Sequence, residues 1–261
     1  MSNQTELFTQ SKMAHPQAYA TFLLVHGAFH GAWCWDRVAS LLRERGHQVE
    51  AVELSDAADK GTSPDALMSS WANHVAERIR SCATPVLLVG HSRSGLIVSQ
   101  AAEIVPECIT MAVYCAAYLV DHGETIADVR ARLREDSRSL LRIERSPGSD
   151  LLALDPSSAA EAIYSCSPAQ EVALIVANLS LEPSAGFAIA PRLTSKRYGS
   201  VPRGAIECLQ DRVLPISFQR EMRKSQPCQA IVSLDCDNAP FVSDPEGLAA
   251  ALIEFAEWPP G

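Results

Sequence analysis

The decisive stretch of this sequence is Val86-Leu87-Leu88-Val89-Gly90-His91-Ser92-Arg93-Ser94-Gly95. Four apolar residues lead into a turn with one central serine, and an apolar pattern of helical spacing follows at 96–103. A buried strand, a sharp turn that carries a serine and a helix together form a nucleophile elbow. We therefore predict Ser92 as a nucleophile, although a serine that only caps the next helix would give the same short pattern. Ser94 stands where the G-x-S-x-G pattern has its second glycine.

Short apolar runs before and after this stretch alternate with helical patterns. The runs suit strands that are buried on both faces, because such strands lack an alternation of polar and apolar residues. Strands that alternate with helices form a mostly parallel sheet, and reactive loops then lie at the carboxyl ends of the strands. The loops at 26–33 and 90–95 both lie at that edge. The predicted strands are 21–25, 49–54, 86–89, 109–116, 205–209 and 230–234.

Residues 118–195 interrupt this alternation. The segment contains no convincing strand, and its helical patches are 126–133, 159–164 and 170–178. An insertion over the strand ends has this pattern, and we predict a helical cap, or lid, that excludes water from the site. Extra scaffold helices are the alternative. The predicted organisation is a leader at 1–18, an α/β core formed by 19–117 and 196–261, and the cap at 118–195.

The composition is that of a globular protein with a substantial core, since 47% of the 261 residues are hydrophobic. A formal net charge of −9 argues against a nucleic-acid partner or an anionic membrane surface. No apolar run reaches the length of a membrane helix, and the first residues lack the apolar core of a signal peptide. The eight cysteines form no Cys-x-x-Cys pair. We interpret them as free thiols in a reducing compartment and expect a cytoplasmic protein.

No metal-ligand cluster, phosphate loop or dinucleotide fingerprint occurs in the sequence, so we expect no cofactor and no metal. The expected partner is a small-molecule substrate. The sequence does not determine the oligomeric state, which leaves a homodimer open.

A serine hydrolase of this layout needs an acid and a histidine besides its nucleophile, in the chain order Ser, Asp or Glu, His. Asp211 follows a late strand and precedes a helix that Pro215 opens, which is a suitable place for the acid. All seven histidines precede Asp211, so none occupies the usual place in the last loop. That loop contains Asp235-Cys236-Asp237-Asn238-Ala239-Pro240-Phe241.

Several stretches together resemble the plant methylesterase and hydroxynitrile lyase group of α/β-hydrolases, with their short bacterial relatives. They are 26–35, 90–95, 201–203, Asp211 with Gln219 and Met222, and 240–245. The resemblance implies an α/β-hydrolase fold and a catalytic histidine directly before a small residue and Pro-Phe, where this chain has Asn238. It also implies an oxyanion hole formed by the backbone N–H groups of Ala28 and Arg93. Phe29 follows the oxyanion turn and is a candidate for the wall of the acyl pocket.

The resemblance favours the esterase branch over the lyase branch. The lyases carry a threonine where this chain has Gly27, and a lysine suited to a cyanide leaving group where it has Ala239. Asparagine can hydrogen-bond, but it cannot carry a proton through a catalytic cycle. We therefore expect Asn238 to slow the acylation of Ser92 by several orders of magnitude relative to histidine.

Three hypotheses remain open. In the first, the chain is a serine hydrolase of small carboxylic esters, and Asn238 is a change that inactivates it. In the second, Asn238 is native and the fold catalyses a non-hydrolytic reaction, that of a lyase, cyclase or decarboxylase, in which the oxyanion hole stabilises an enolate. In the third, the chain is a pseudo-hydrolase that only binds a small ligand.

Overall fold

Parallel strands form the central sheet of the protein. The computed structural model describes residues 19–57, 63–132 and 140–258. Within them the strands are β1 (Thr21–Val25), β2 (Gln48–Val52), β3 (Val86–His91), β4 (Ile109–Cys115), β5 (Ile143–Arg145), β6 (Leu151–Leu154), β7 (Glu182–Pro183), β8 (Arg203–Cys208) and β9 (Ala230–Leu234). Six of them pair in parallel in the order β2-β1-β3-β4-β8-β9. The central strands β1 and β3 are fully buried, as their unbroken apolar runs predict.

Helices flank this sheet, which confirms the predicted α/β-hydrolase fold. Helix α1 packs against α9, and α2 packs against α3. None of the helices in the described ranges is long and apolar enough to cross a membrane. The helices are α1 (Asp36–Glu44), α2 (Pro64–Ser81), α3 (Ser94–Ile104), α4 (Ile126–Ala131), α5 (Pro156–Ala162), α6 (Ala169–Ala177), α7 (Ile216–Ser225), α8 (Pro240–Ser243) and α9 (Pro245–Ala256).

The core differs from the sequence-based prediction at several strand ends and in one loop. Strand β3 extends to His91, and β8 covers Arg203–Cys208 where 205–209 is predicted. Strand β2 ends at Val52 and not at residue 54, because the Glu53 carboxylate turns to accept the N–H of Ala32 (2.9 Å). The predicted loop after β9 contains the short helix α8. Its start is held by Asp237, which accepts the N–H of Ala239 (3.0 Å). The predicted leader, 1–18, lies outside the described residues.

The cap contains helices α4, α5 and α6 and also a three-stranded antiparallel sheet in the order β5-β6-β7. The expectation that the segment contains no strand is therefore wrong. These strands have two to four residues each, and β5 is exposed along its whole length. Strands this short have no room for the alternating pattern by which a strand is recognised. The lid function of the cap stays a prediction.

All eight cysteines are free thiols, in agreement with the interpretation of their spacing. Four of them, Cys34, Cys115, Cys208 and Cys236, are buried. Burial raises the pKa of the Cys34 and Cys115 thiols well above the ordinary value, so these two thiols stay protonated and behave as small apolar side chains.

We predict that Gly95→Ala destabilises the protein by about 3 kcal/mol or more, although alanine is the better helix former. A Cβ atom at Gly95 would overlap the backbone carbonyl of Tyr118, and backbone cannot move aside as a flexible side chain can. The matched control is Gly199→Ala, where the nearest atoms lie at 3.5 Å and the change should stay within about 0.5 kcal/mol. Urea unfolding of both variants measures the difference, and equal stabilities would contradict the prediction.

Candidate active site

Ser92 lies at the tip of the turn between β3 and α3 with a φ of +52°, a left-handed conformation that is strained for a residue with a side chain. Its N–H donates to the carbonyl of Cys115 (3.3 Å), and its carbonyl accepts from the N–H of Tyr118 (3.0 Å). The N-cap of α3 is Arg93, and the helix begins at Ser94. Ser92 therefore does not cap the helix, and its half-buried side chain lines a cavity.

The loop after β1 approaches the elbow closely because small residues lie at the contact. A Cβ atom on Gly27 would lie 2.7 Å from Nδ1 of His91 and 3.0 Å from Cβ of Ser92, so the position excludes a side chain. Ser94, at the place of the second glycine of the pattern, is fully buried and donates its hydroxyl to the carbonyl of His26. Ser94 thus ties the end of β1 to the start of α3, which a glycine could not do.

The two predicted oxyanion donors lie beside Ser92. Ala28 and Arg93 line the same cavity as the serine. In the part of the chain that the structure describes, neither the N–H of Ala28 nor that of Arg93 has a hydrogen-bond acceptor. Free N–H groups beside a serine at a helix N-terminus are suited to stabilise a developing negative charge. Their catalytic role stays a prediction.

Phe29 forms a strained corner of the loop at 26–33, which we call the oxyanion loop after its predicted role. Its ring lines the cavity, as the sequence leads us to expect of this position. Its φ is +64°. Its N–H donates to Oε1 of Glu182 (2.9 Å), and its carbonyl accepts from the N–H of Ser180 (2.9 Å). The ring packs against Phe187, with 5.7 Å between the ring centroids. Three residues of the cap therefore hold this corner.

Asp211 and Asn238 are hydrogen-bonded to each other. Nδ2 of Asn238 donates to Oδ2 of Asp211 (2.8 Å), so the amide supplies the hydrogen bond that a triad histidine would donate to its acid. Oδ1 of Asp211 accepts the N–H groups of Val213 (2.7 Å) and Leu214 (2.8 Å). Asn238 also lines the cavity with Ser92. The fold thus brings together the three residues predicted as nucleophile, acid and occupant of the base position.

The carboxylate of Asp211 accepts hydrogen bonds from neutral donors and forms no ion pair within the described ranges. Burial raises the pKa of Asp211 to about 7, and the hydrogen bonds from Asn238, Leu214 and Val213 oppose that rise. A neutral amide stabilises a carboxylate less than an imidazolium does, because it carries no opposite charge. Asp211 therefore titrates close to neutral pH.

Two buried histidines lie next to the elbow, and both are neutral. Nε2 of His91 donates to the carbonyl of Asn238 (2.8 Å), which leaves Nδ1 unprotonated and without a hydrogen-bond partner among the described residues. Nδ1 of His30 donates to the carbonyl of Ala28 (2.8 Å), and Nε2 accepts from the hydroxyl of Tyr164 (2.7 Å). Burial lowers the pKa of His91 to about 4 and that of His30 to about 3.

The cavity has a volume of about 220 Å³, which suits a small ligand. Its floor is formed by the elbow, the oxyanion loop and Asn238, and cap residues supply most of its remaining wall. No acidic residue lines it within the described ranges. The apolar residues of the wall include Ile126, Leu141, Ile143, Ile163, Phe187 and Val213.

Several residues of the site could not be found from the sequence. Glu182 contacts the oxyanion loop, Tyr164 binds His30, and Arg130 lines the cavity. All three lie in the cap, and none belongs to a local motif. Glu182 lies 153 residues from its partner Phe29, and Tyr164 lies 134 residues from His30. Their approach depends on how the cap folds back over the sheet.

This fold, with a serine at a strained turn between a strand and a helix, is the arrangement expected of an α/β-hydrolase. A sequence profile of the Alpha/beta hydrolase family matches residues 22–251. Methylesterase 7 of Arabidopsis thaliana is 31% identical over 249 residues, which cover 90% of this chain and 96% of that protein. The chain therefore belongs to the alpha/beta hydrolase family, in the group of the plant methylesterases.

Solved structures agree with this assignment. A mutant of polyneuridine aldehyde esterase is similar with a TM-score of 0.77 and 25% identity, over 92% of this chain and 100% of that chain. A variant of tomato methylketone synthase I complexed with beta-ketoheptanoate is similar with a TM-score of 0.72 and 27% identity, over 92% of this chain and 98% of that chain.

We predict that Asp211→Asn stabilises the protein increasingly as the pH rises. The fold binds the Asp211 proton more tightly than the unfolded chain does, since the pKa is about 7 and not the ordinary 3.8. Ionisation therefore removes stability between about pH 4 and pH 7. The free energy of unfolding of the variant minus that of the parent should rise by about 2 kcal/mol from pH 5 to pH 7.

Urea unfolding at pH 5, 6, 7 and 8 measures this difference. His30 and His91 act in the opposite direction, because their lowered pKa values remove stability as the pH falls below their ordinary value of 6.5. Their contribution is common to both proteins and cancels in the difference. Asp150→Asn, at a highly exposed aspartate, is the control and should show a much smaller change with pH. A difference for Asp211→Asn that does not vary with pH would contradict the prediction.

Proposed function

We propose that the chain is a serine hydrolase of small carboxylic esters whose turnover is impaired by Asn238. Ser92 is the nucleophile, the N–H groups of Ala28 and Arg93 form the oxyanion hole, and Asp211 is the acid. The observation that carries the proposal is the shared cavity: Ser92 and Asn238 both line it, and the Asn238 amide donates to Asp211 (2.8 Å).

The impairment follows from the proton balance of acyl transfer. Oγ of Ser92 bonds to the ester carbonyl carbon, its proton must leave, and the carbonyl oxygen becomes the oxyanion that Ala28 and Arg93 stabilise. The alcohol of the ester then departs with a proton and leaves the acyl group on Ser92. Water next attacks this acyl group, and the carboxylic acid departs as the proton returns to Oγ of Ser92. Asn238 can neither accept nor return these protons, so both halves of the reaction lack their general base.

The size of the cavity and the apolar residues of its wall support a small acyl group with an apolar chain. A volume of about 220 Å³ is below the range of most drug-sized sites. The similarity to Methylesterase 7 of Arabidopsis thaliana supports methanol as the leaving alcohol. Methyl esters of short acids are therefore the first substrates to test.

We predict that Asn238→His raises kcat/KM for small methyl and aryl esters by at least about 10³-fold, because a histidine hydrogen-bonded to Asp211 restores the base. Steady-state hydrolysis of an ester panel measures the gain. Asn238→Gln, which retains an amide, is the matched control and should give no gain. Adding Ser92→Ala to the histidine variant should abolish the activity. No gain from the histidine, or a gain that survives Ser92→Ala, would refute the proposed function.

A decarboxylase of β-keto acids is a second candidate, and free oxyanion donors beside a base position that holds the Asn238 amide favour it. In that reaction the bond to the carboxylate carbon breaks, CO2 departs, and the electron pair forms an enolate on the oxyanion donors before water protonates it. The bound beta-ketoheptanoate in the tomato methylketone synthase I structure motivates the choice of substrate. If the chain as it stands releases CO2 and a ketone, and Ser92→Ala does not change the rate, the decarboxylase is favoured. If it binds the β-keto acid tightly and forms no product, it is a binding protein.

The charge of the cavity wall indicates a substrate preference. Arg130 and Arg93 are the lining residues with a full positive charge. The Arg93 charge is balanced by Glu182. Nε of Arg130 donates to the neutral hydroxyl of Tyr118 (2.7 Å), and no carboxylate pairs with it in the described part of the chain. Arg130 is therefore placed to bind an anionic group on the acyl chain.

We predict that the Asn238→His variant has a lower KM for monomethyl adipate than for methyl hexanoate, which has the same chain length without the terminal carboxylate. Arg130→Gln should raise the KM for the anionic ester about tenfold and leave that for the neutral ester unchanged, since a hydrogen bond to a charged group is lost. Arg132→Gln, at a neighbouring arginine that pairs with Glu124, is the control. Equal effects of Arg130→Gln on both esters would contradict the prediction.

A further inference from the structure

One side chain of the cap contacts both halves of the predicted oxyanion hole. Glu182 begins β7 and is 5% exposed. Its Oε1 accepts the N–H of Phe29 (2.9 Å), the residue directly after Ala28. Its Oε2 accepts from Nη1 of Arg93, the residue directly after Ser92. The two carboxylate oxygens therefore join the loop after β1 to the loop after β3.

The guanidinium of Arg93 depends on this carboxylate. Arg93 is 1% exposed, and its Cζ lies 4.4 Å from the ring centroid of Trp71. Its Nε and Nη2 have no hydrogen-bond acceptor within the described residues. A buried cation needs a partner that balances its charge, and Glu182 is the one that the described contacts supply. The side chain that follows the nucleophile is thus fixed between an aromatic ring and a carboxylate of the cap.

The oxyanion loop is held by the same stretch of the cap. Phe29 has a φ of +64°, and both of its backbone polar groups bond to cap residues, the N–H to Glu182 and the carbonyl to the N–H of Ser180 (2.9 Å). Since Phe29 cannot rotate without breaking these bonds, the peptide between Ala28 and Phe29 keeps its direction, and this peptide follows directly on the residue that carries the oxyanion N–H. The strained conformation of Phe29 persists because several contacts with the cap hold it at once.

We propose that Glu182 is a positioning residue that aligns the N–H groups of Ala28 and Arg93 as one oxyanion hole. The inference rests on the proposed function, because it needs an oxyanion to stabilise. Glu182 touches neither the reacting atoms nor Ser92; it acts through Phe29 and the Arg93 side chain. The oxyanion hole is then complete only while β7 of the cap is docked against both loops.

The test uses the full chain with Asn238→His, in which hydrolysis is measurable, and adds Glu182→Gln. Glutamine retains one oxygen for Phe29 but no charge for Arg93, so the Arg93 tether is lost. We expect kcat to fall about 30-fold, less than the loss of a whole oxyanion donor costs, and KM for a neutral methyl ester to stay within about twofold, because alignment with the transition state changes and ground-state binding does not.

A double variant separates positioning from folding. Glu182→Gln leaves a buried unpaired cation and lowers the melting temperature. Adding Arg93→Met removes that cation and places a thioether against Trp71, so the melting temperature should recover. The backbone N–H of residue 93 remains in this variant, but its tether is absent, and kcat should stay low. Recovery of kcat together with the melting temperature would show a purely structural role and overturn the inference.

A control and a second readout complete the design. Arg145 forms another ion pair of the cap, with Asp150, and both side chains are exposed. Arg145→Gln removes this pair and should leave kcat unchanged. A trifluoromethyl ketone, which becomes an oxyanion when serine adds to it, should bind the Glu182→Gln variant about 30-fold more weakly, whereas the neutral methyl ketone should bind equally. If Asn238→His shows no hydrolysis, the proposed function fails. If it hydrolyses esters and Glu182→Gln changes neither kcat nor trifluoromethyl ketone binding, only the present inference fails.

Discussion

The close approach of the loops after β1 and β3 is the constraint on which the rest of the site depends. It requires a position without a side chain, because a Cβ atom on Gly27 would meet the side chains of His91 and Ser92. Gly95 likewise admits the segment after β4, since a Cβ atom there would overlap the backbone of Tyr118. With these positions empty, α3 can start directly behind the strand, and Ser92 is held at a positive φ by three backbone hydrogen bonds. The place of the nucleophile is therefore set by backbone packing and does not depend on which residue occupies position 238.

The same packing decides the charges of the site, since it buries Arg93, Glu182 and Asp211. Arg93 and Glu182 are buried as a balanced pair, whereas Asp211 is buried with only neutral donors around it. The pKa of Asp211 is raised for this reason. A histidine at position 238 would carry a positive charge in part of the catalytic cycle, and the ionised Asp211 would then have the partner that the surrounding fold otherwise lacks.

Local patterns in the sequence were sufficient to predict much of the core. The apolar runs of β1, β3 and β4 predict strands because these strands are buried on both faces, and Gly-His-Ser predicts the elbow because few residues fit such a turn. The antiparallel sheet of the cap was missed, since strands of two to four residues carry no period. Helix α8 was missed because four residues stabilised by Asp237 depend on a side-chain contact and not on helical periodicity.

The sequence by itself determined the fold class, the elbow serine, the late aspartate and the absence of a histidine after it, because each of these is a property of residue identity and order. Only the tertiary structure decided that Asn238 donates to Asp211, that Ser94 binds the carbonyl of His26, and that Glu182 contacts both oxyanion loops. Each of these contacts joins two residues that are far apart in the sequence, with separations from 27 to 153 positions. No local pattern encodes such a pairing, since it arises when the sheet and the cap bring distant loops to one edge.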